Sequence, residues 1–358
     1  MKPQMNADEK LKAFSSLGKY LSWISLIFVG VMCCLVLLLT GFHLPKIIYA
    51  HTNDRSSLKN QLKPKARNIA LPRYWMAPDT IKIQGEPNAD LIRYGRNLIV
   101  NTASYLGPNG TVGRLANGMN CQNCHLDAGT RPFANNFSVF YVDYPKWSAR
   151  NGRKEEAFER IDECFERSMN GRAPKRNSKE MQAMLAYLKW VGEQGNSEAP
   201  LADYSVKKVP YLDIPADPIK GKIIYASKCS SCHGREGKGM VVPDGKGYIY
   251  PPLWGSDSYN DGAGMFRLGN FAGFVKNNMP YGSSYQDPVL SDKEAWNVAA
   301  YVNAQPRPHF NSKNDYKDAA TKPIDYPFGP YADSFTEKQH KYGPFIEIAK
   351  QHTSKTKR

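Results

Sequence analysis

The longest uncharged hydrophobic stretch of the chain runs from Leu21 to Phe42. As an α-helix rising about 1.5 Å per residue, this stretch reaches about 33 Å, which is enough to cross a bilayer core of about 30 Å. A cleaved signal peptide is the alternative, because Ile48 and Ala50 suit a cleavage site, but the apolar run exceeds the usual core of about 7–15 residues. The pattern therefore predicts one uncleaved transmembrane anchor over residues 21–42.

The charges that precede this stretch predict its orientation. Basic residues next to a spanning helix remain on the cytoplasmic side, and four lysines lie before the stretch. Residues 1–20 are therefore expected in the cytoplasm, and everything after about residue 43, beginning with a linker over 43–74, in the periplasm. The expected localisation is the bacterial inner membrane, spanned once. The four lysines are Lys2, Lys10, Lys12 and Lys19.

Downstream of the linker, the pattern of polar and apolar residues is helical and occurs twice. An opening segment with a glycine on its packed face starts at Asp90 and again at Asp217. A closing segment with a serine cap and an acidic residue within three positions starts at Ser178 and again at Ser291. Such a duplication predicts two similar all-α domains. We place them at 75–195 and 216–306, with a linker over 196–215 and an extended, proline-spaced tail over 307–358 that packs on the domains.

Composition adds a basic surface to this picture. The chain has 358 residues and a formal net charge of +15, and it is longer than one small domain requires. The positive charge has two interpretations: a solvated surface near anionic lipid, or a field that concentrates an anionic substrate or an acidic redox partner. Nucleic acid is not an expected partner, because no motif interleaves aromatic and basic residues as nucleic-acid-binding modules do.

The frame C-x-x-C-H occurs twice, 108 residues apart. In this frame two thiols form thioethers to the vinyl groups of one haem, and the adjacent histidine ligates its iron. A single C-x-x-C also suits a disulfide redox pair or half a zinc site, but two complete copies in an exported chain favour haem. The sequence predicts two covalently bound haems c, the first attached through Cys121, Cys124 and His125 and the second through Cys229, Cys232 and His233.

A methionine follows each motif at a similar distance and is a candidate for the sixth iron ligand. Met279 lies 46 residues after His233 in a Met-Pro context, and a His/Met haem suits electron transfer. Helix, haem loop, methionine loop and closing helix together are typical of a class I cytochrome c domain. Weaker candidates for the same position are Met240, Met265, His309 and His340.

In the first domain, the sixth ligand is open between a methionine and a cysteine. Met169 lies 44 residues after His125, so spacing alone favours it. Arg160, Cys164 and Ser168 are four residues apart on a predicted helix and share one face, whereas Met169 points about 140° away from Cys164. A guanidinium, a thiol and a hydroxyl in a row form a pocket for a small oxyanion. The alternative is an amphipathic helix whose cysteine is merely buried.

Several motifs together resemble the dihaem thiosulfate dehydrogenase family, over roughly residues 75–350. They are CQNCHLDAGTRP from Cys121, YP at Tyr144, Arg150, RIDECFERSMNG from Arg160, YPPLWG from Tyr250, GAGMFR from Gly262 and NMPYG from Asn278, with DYPFGPYADSF and QHKYGPF in the tail. The resemblance implies two class I cytochrome c domains in tandem and an enzyme that interconverts thiosulfate and tetrathionate. It also implies that Cys164 is the sixth ligand of the first haem and the catalytic residue, and that the dianionic substrate is held by Arg150, Arg160 and Ser168.

One position departs from the family pattern. Some members carry a lysine directly before the ligating methionine and exchange the two ligands with redox state, but Asn278 occupies that position here, and the nearest lysine is Lys276. We therefore expect a steady His233/Met279 ligand pair. Electrons are expected to pass from the first haem through the second to a periplasmic or membrane-bound carrier. The alternatives are a dihaem electron carrier without catalysis and a haem peroxidase.

Overall fold

The computed structural model describes residues 75–193 and 205–356, together with four isolated helical positions near the N-terminus. The chain divides into two compact units, residues 1–69 and 70–358, and both C-x-x-C-H motifs lie in the second unit. The predicted anchor and the linker over 43–74 lie outside the described residues except for those four positions. Among the described residues, no helix has the length and apolarity to cross a membrane. The four positions are Trp23, Ser25, Phe28 and Met32.

The first helical domain surrounds the first C-x-x-C-H motif. A π-helical turn over Cys164–Ser168 directly continues the fourth helix. Strands β1 (Lys146–Ser148) and β2 (Arg153–Glu155) pair antiparallel, with Trp147 opposite Lys154, so the fold is helical with a small hairpin. The helices are α1 (Ala89–Val100), α2 (Thr102–Leu106), α3 (Leu126–Gly129), α4 (Ala157–Glu163) and α5 (Lys179–Glu193), with 3-10 turns over Thr80–Gly85 and Cys121–Asn123.

The second domain repeats this plan around the second motif and carries the C-terminal segment. Strands β3 (Met240–Val241) and β4 (Tyr248–Tyr250) form a second antiparallel hairpin, with Met240 opposite Tyr250. The helices of the domain are α6 (Pro218–Lys228), α7 (Ser230–His233), α8 (Leu268–Asn278) and α9 (Asp292–Asn303), and the C-terminal segment adds α10 (Glu337–Tyr342) and α11 (Ile346–Thr356), with 3-10 turns over Gly264–Phe266 and Ala319–Thr321.

In each domain the opening and closing helices cross at a glycine. A Cβ on Gly95 of α1 would lie 1.9 Å from the carbonyl oxygen of Ala183 in α5. A Cβ on Gly221 of α6 would likewise lie 1.9 Å from the carbonyl oxygen of Asn297 in α9. Because these contacts are backbone, a larger side chain would force the helices apart. The predicted glycine on the packed face of each opening segment is confirmed.

The predicted serine caps are also present. Ser178 Oγ accepts a hydrogen bond from the N–H of Met181 at 3.2 Å, at the start of α5. At the start of α9, Ser291 and Glu294 form a reciprocal capping box, with the N–H of each residue donating to the side chain of the other. Side-chain oxygens thus satisfy donors that a helix start leaves free.

The C-terminal segment differs from the predicted extended tail. It contains α10 and α11, and Phe345 and Ile348 are buried in the hydrophobic core of the second domain. Prolines such as Pro344 divide the segment into pieces too short to show a helical period, which explains why the sequence pattern did not reveal these helices. The segment is therefore part of the folded unit.

Candidate functional site

The first C-x-x-C-H motif lines a cavity of about 220 Å³, here called the first cavity. His125 is fixed there, because its Nδ1 lies 2.6 Å from the carbonyl oxygen of Asn135 and its ring stacks on Phe137 at a centroid distance of 4.6 Å. With Nδ1–H donating to the carbonyl, Nε2 keeps its lone pair. Burial lowers the pKa of His125 to about 4. The imidazole is therefore neutral, as iron ligation requires.

The second motif lines a larger cavity of about 710 Å³, here called the second cavity. Cys229, Cys232 and His233 all lie on its wall. Nδ1 of His233 lies 2.8 Å from the carbonyl oxygen of Pro251, and burial lowers the pKa of the imidazole. The histidine is thus neutral and orients Nε2 in the same way as its counterpart in the first cavity.

The candidates for the sixth ligand of the second haem separate by position. Met279 and Met265 line the second cavity, whereas Met240 does not. His309 and His340 lie outside this cavity, and their ring nitrogens contact carboxylate or carbonyl oxygens elsewhere. The thioether of Met279, which follows α8, therefore stays the first candidate.

The residues of both cavities fit a haem c. Each cavity combines two thiols with a neutral imidazole whose Nε2 is free of the backbone contact, which is the donor set for covalent haem. Cys121, Cys124 and His125 would hold the first haem. Met119 and Cys124 line both cavities, so one layer of side chains separates the two sites.

Cys164 lies on the wall of the first cavity, at the start of the π-helical turn. The N–H of Met169 donates to the carbonyl oxygen of Cys164, five residues back, at 3.0 Å. In such a turn the residue five positions on lies close to one full turn away, and Ser168 and Met169 line the same cavity as Cys164. The expected 140° between Met169 and Cys164 is therefore wrong, because it assumed a regular α-helix.

Arg160 lines the first cavity one helical turn before Cys164. Charge attraction to Cys164 is the largest effect that raises the pKa of Arg160. Its Nη1 also lies 2.5 Å from Oε2 of Glu163. Burial alone would raise the pKa of Glu163, but the charges of Arg160 and Arg150 outweigh burial and lower it. Two guanidinium groups and one carboxylate thus leave a net positive charge beside the thiol.

Arg150 lies behind this cluster rather than in the cavity wall. Its Nη1 is 3.4 Å from Oε2 of Glu163, and its Nε is 3.8 Å from Oδ2 of Asp315. Its carbonyl oxygen accepts a hydrogen bond from the N–H of Tyr316 at 2.7 Å. Among the predicted substrate-holding and catalytic residues, the first cavity brings together Cys164, Arg160 and Ser168.

Two further residues of the first cavity come from the neighbourhood of the β1–β2 hairpin and were not among the predicted site residues. Tyr144 and Lys146 line the cavity, and Nζ of Lys146 lies 4.8 Å from the Tyr144 ring centre and 2.6 Å from Oδ2 of Asp143. Burial raises the pKa of Tyr144. The hairpin loop covers residues 149–152 and ends in Asn151-Gly152, where Gly152 has φ 65°. This Asn-Gly pair is a hairpin signal that the sequence already contained.

Comparison with known protein families assigns both domains. Residues 113–194 match the family described as SoxA/TsdA, cytochrome c domain, and residues 219–306 match the family described as Cytochrome c. A solved structure of thiosulfate dehydrogenase (TsdBA) from Marichromatium purpuratum, in its "as isolated" form, superposes with a TM-score of 0.58 at 34% identity. That match covers 70% of this chain and 53% of the longer solved chain.

Two curated relatives carry the same name. The thiosulfate dehydrogenase of Stutzerimonas stutzeri (strain A1501) is 36% identical over 250 residues, which are 70% of this chain and 78% of the relative. The thiosulfate dehydrogenase of Allochromatium vinosum is 40% identical over 252 residues, which are 69% of this chain and 87% of the relative. With both C-x-x-C-H motifs placed on cavities that fit haem, the chain belongs to the thiosulfate dehydrogenase family of cytochrome c enzymes and binds two covalent haems c.

Proposed function

We propose that the chain interconverts thiosulfate and tetrathionate at the first haem site, with two thiosulfate anions giving one tetrathionate and two electrons. The observation that carries this proposal is the arrangement of Cys164, Arg160 and Ser168 on the cavity that also holds His125. One cavity thus combines a sulfur nucleophile with an anion-binding group. The names of the relatives support the same substrate.

In this proposal Cys164 would be the sixth ligand of the first haem and carries the sulfur chemistry. Its Sγ forms a disulfide bond with the outer sulfur of one thiosulfate, and two electrons leave. The outer sulfur of a second thiosulfate attacks the sulfur bonded to Cys164, the bond to Sγ breaks, and tetrathionate departs while the thiolate is restored. The haems, when bound, supply one-electron acceptors for the two electrons. No proton is consumed, because every sulfur enters as an anion.

The positive charges of the site reduce the repulsion between the two thiosulfate dianions. Two dianions must approach each other, and fixed cations in a site of low dielectric constant reduce that repulsion. Arg160 supplies such a cation on the cavity wall, whereas the charge of Lys146 on the same wall is balanced by Asp143. We assign Arg150 an indirect part: by sharing the Glu163 carboxylate with Arg160, it keeps that carboxylate from cancelling the charge of Arg160.

In this proposal His233 and Met279 would hold the second haem as its steady ligands, and that haem would supply the route by which electrons leave. Lys276, the lysine nearest to Met279, forms an ion pair with Asp292 and does not line the second cavity, which argues against a lysine ligand. A thioether ligand raises the potential of a haem above that given by a thiolate, so ligation by Cys164 at the first site and Met279 at the second would favour the oxidation of thiosulfate.

We also propose that the enzyme works in the periplasm, held to the inner membrane by residues 21–42. The charge-free stretch with lysines before it supports this location. The net charge of +15 supports an acidic periplasmic carrier or a membrane-bound carrier as the electron acceptor.

Protein-film voltammetry tests the function directly. Wild-type protein on an electrode should give catalytic current with thiosulfate, with tetrathionate or with both. Cys164→Ala should give none with either anion, while absorbance shows that both haems remain attached. Wild-type protein that is silent towards both anions would overturn the proposal.

A non-catalytic electron carrier is the second candidate, and the position of Met169 on the first cavity favours it. In that case His125 and Met169 would ligate the first haem. Near-infrared magnetic circular dichroism separates the two, because a thiolate ligand and a thioether ligand give different charge-transfer bands. Two thioether-ligated haems without a thiolate band would establish the carrier.

A further inference from the structure

The π-helical turn that starts at Cys164 ends inside the protein, and the last carbonyl groups of a helix need donors from elsewhere. The first two are satisfied within the segment. The carbonyl oxygen of Cys164 accepts from the N–H of Met169 at 3.0 Å, and that of Phe165 accepts from the N–H of Gly171 at 2.9 Å. The next two carbonyl groups, those of Glu166 and Arg167, accept hydrogen bonds from the second domain.

Asn260 of the second domain supplies their donors. Its Nδ2 donates to the carbonyl oxygen of Glu166 at 2.8 Å, and its N–H donates to the carbonyl oxygen of Arg167 at 3.1 Å. Nδ2 also donates to Oδ1 of Asn170 at 3.1 Å, while Oδ1 of Asn260 accepts from the N–H of Gly262. The residue is 1% exposed. A buried asparagine with all its polar groups engaged fixes the backbone around it strongly.

The form of this turn decides which side chains reach the first cavity. A π-turn is rare and is kept by its surroundings, since a regular α-helix has better hydrogen-bond geometry. Here the π-turn brings Cys164, Ser168 and Met169 to one cavity. Relaxation to α-helical spacing would keep Ser168 on the same face as Cys164 but would turn Met169 about 140° away from Cys164, and so would change which side chains face the haem.

We propose that Asn260 is a positioning residue of the first haem site: it caps the π-helical turn from the second domain and so holds Cys164 and Ser168 in the first cavity. This inference rests on the proposed function, in which Cys164 ligates the first haem. The neighbouring Tyr259 lines the second cavity, so the segment that carries Asn260 contacts both haem sites.

Asn260→Asp is the sharpest test, because the change keeps the size of the side chain and removes both Nδ2 donors. A carboxylate oxygen would then face the oxygens of Glu166 and Asn170 and repel them. Asn260→Ala removes the contact without the repulsion and serves as the milder variant. Asn303→Asp is the matched control: Asn303 is also buried, and its Nδ2 donates to the carbonyl oxygens of Met265 and Phe266 within the second domain.

The measurement is the thiolate band of the first haem in the purified, haem-loaded protein, by near-infrared magnetic circular dichroism, together with kcat and KM for thiosulfate. Asn260→Asp should lose most of the thiolate band and about tenfold in kcat, with Asn260→Ala affected in the same direction. Asn303→Asp should keep the band. Because a covalent haem stays attached when the protein unfolds, the bands are compared only for variants whose far-ultraviolet circular dichroism matches that of the wild type.

The outcomes separate this inference from the proposed function. A wild-type band that persists unchanged in both Asn260 variants would overturn the positioning role and leave the function standing. Equal loss in Asn303→Asp would also overturn it, since the effect would then be general loosening. A wild-type protein without a thiolate band would overturn the proposed function, and this inference with it.

Discussion

Arg167 and Asp315 form a two-pronged ion pair inside the protein, with Nη1 2.7 Å from Oδ2 and Nη2 2.8 Å from Oδ1. Their side chains are only 7% and 5% exposed. Arg167 belongs to the π-helical turn, whereas Asp315 belongs to the C-terminal segment, 148 residues further on. Tyr326, also in that segment, donates its hydroxyl to Oδ2 of Asp315 at 3.2 Å. The C-terminal segment thus contacts, through Asp315, the π-helical turn that carries Cys164.

Asp315→Asn should destabilise the protein by about 3–5 kcal/mol, because it leaves the Arg167 guanidinium buried without its counter-charge. Denaturant unfolding of the haem-loaded protein measures the change. Glu347→Gln, which breaks an exposed pair with Lys350, should change the free energy of unfolding little. Equal losses in the two variants would contradict the importance of the buried pair.

The haem motifs, the opening and closing helices and their caps were predictable from the sequence, because each depends on residues close together in the chain. The Cys121 and Cys229 motifs, the glycine contacts at Gly95 and Gly221 and the cap at Ser291 all have a fixed local pattern. Short-range periodicity carries this information before any tertiary contact forms.

The π-helical turn was not predictable from a local pattern, because two of its carbonyl groups accept hydrogen bonds from Asn260, more than 90 residues away. Regular α-helical spacing is the only assumption that a local pattern supports. The position of Arg150 was missed for a similar reason, since Glu163 and Asp315 hold it and the second of these lies in the C-terminal segment. Residue types predicted the chemistry, but long-range contacts set the geometry.

Arg160→Gln should reduce kcat/KM for thiosulfate by about 10²–10³, because it removes the cation next to Cys164 in the first cavity. Arg160→Lys keeps the charge without the two-pronged geometry and should fall between this variant and wild type. Steady-state kinetics at low and high salt measures both. Arg93→Gln, which breaks a surface pair with Asp90, is the control and should leave kcat/KM unchanged. If Arg160→Gln has the same kcat/KM for thiosulfate as the wild type, Arg160 does not contribute to substrate binding or catalysis.

Glu294 should make the stability of the second domain depend on pH. A hydrogen bond from the backbone N–H of Ser291 is the main effect that lowers the pKa of Glu294 below its ordinary value of 4.5. A lowered folded-state pKa stabilises the fold above about pH 4.5 and loses this effect as the pH falls through the lowered value. Glu294→Gln should therefore cost about 0.3–1 kcal/mol at pH 7 and less at pH 3. Thermal unfolding at both pH values checks this, and a constant difference would contradict it.

Replacement of the two methionines on the second cavity should separate the sixth ligand from a packing residue. Met279→Ala should abolish the thioether charge-transfer band of the second haem and lower its potential, because a sulfur ligand that favours the reduced iron is lost. Met265→Leu should keep both, as a change of similar volume on the same wall. A redox titration followed by absorbance measures the band and the potential of the second haem together.

The same variant should change the direction of catalysis. Since the second haem accepts electrons from the first in the proposed direction, Met279→Ala should slow thiosulfate oxidation more than tetrathionate reduction. Equal slowing in both directions would show that the potential of the second haem does not set the preferred direction.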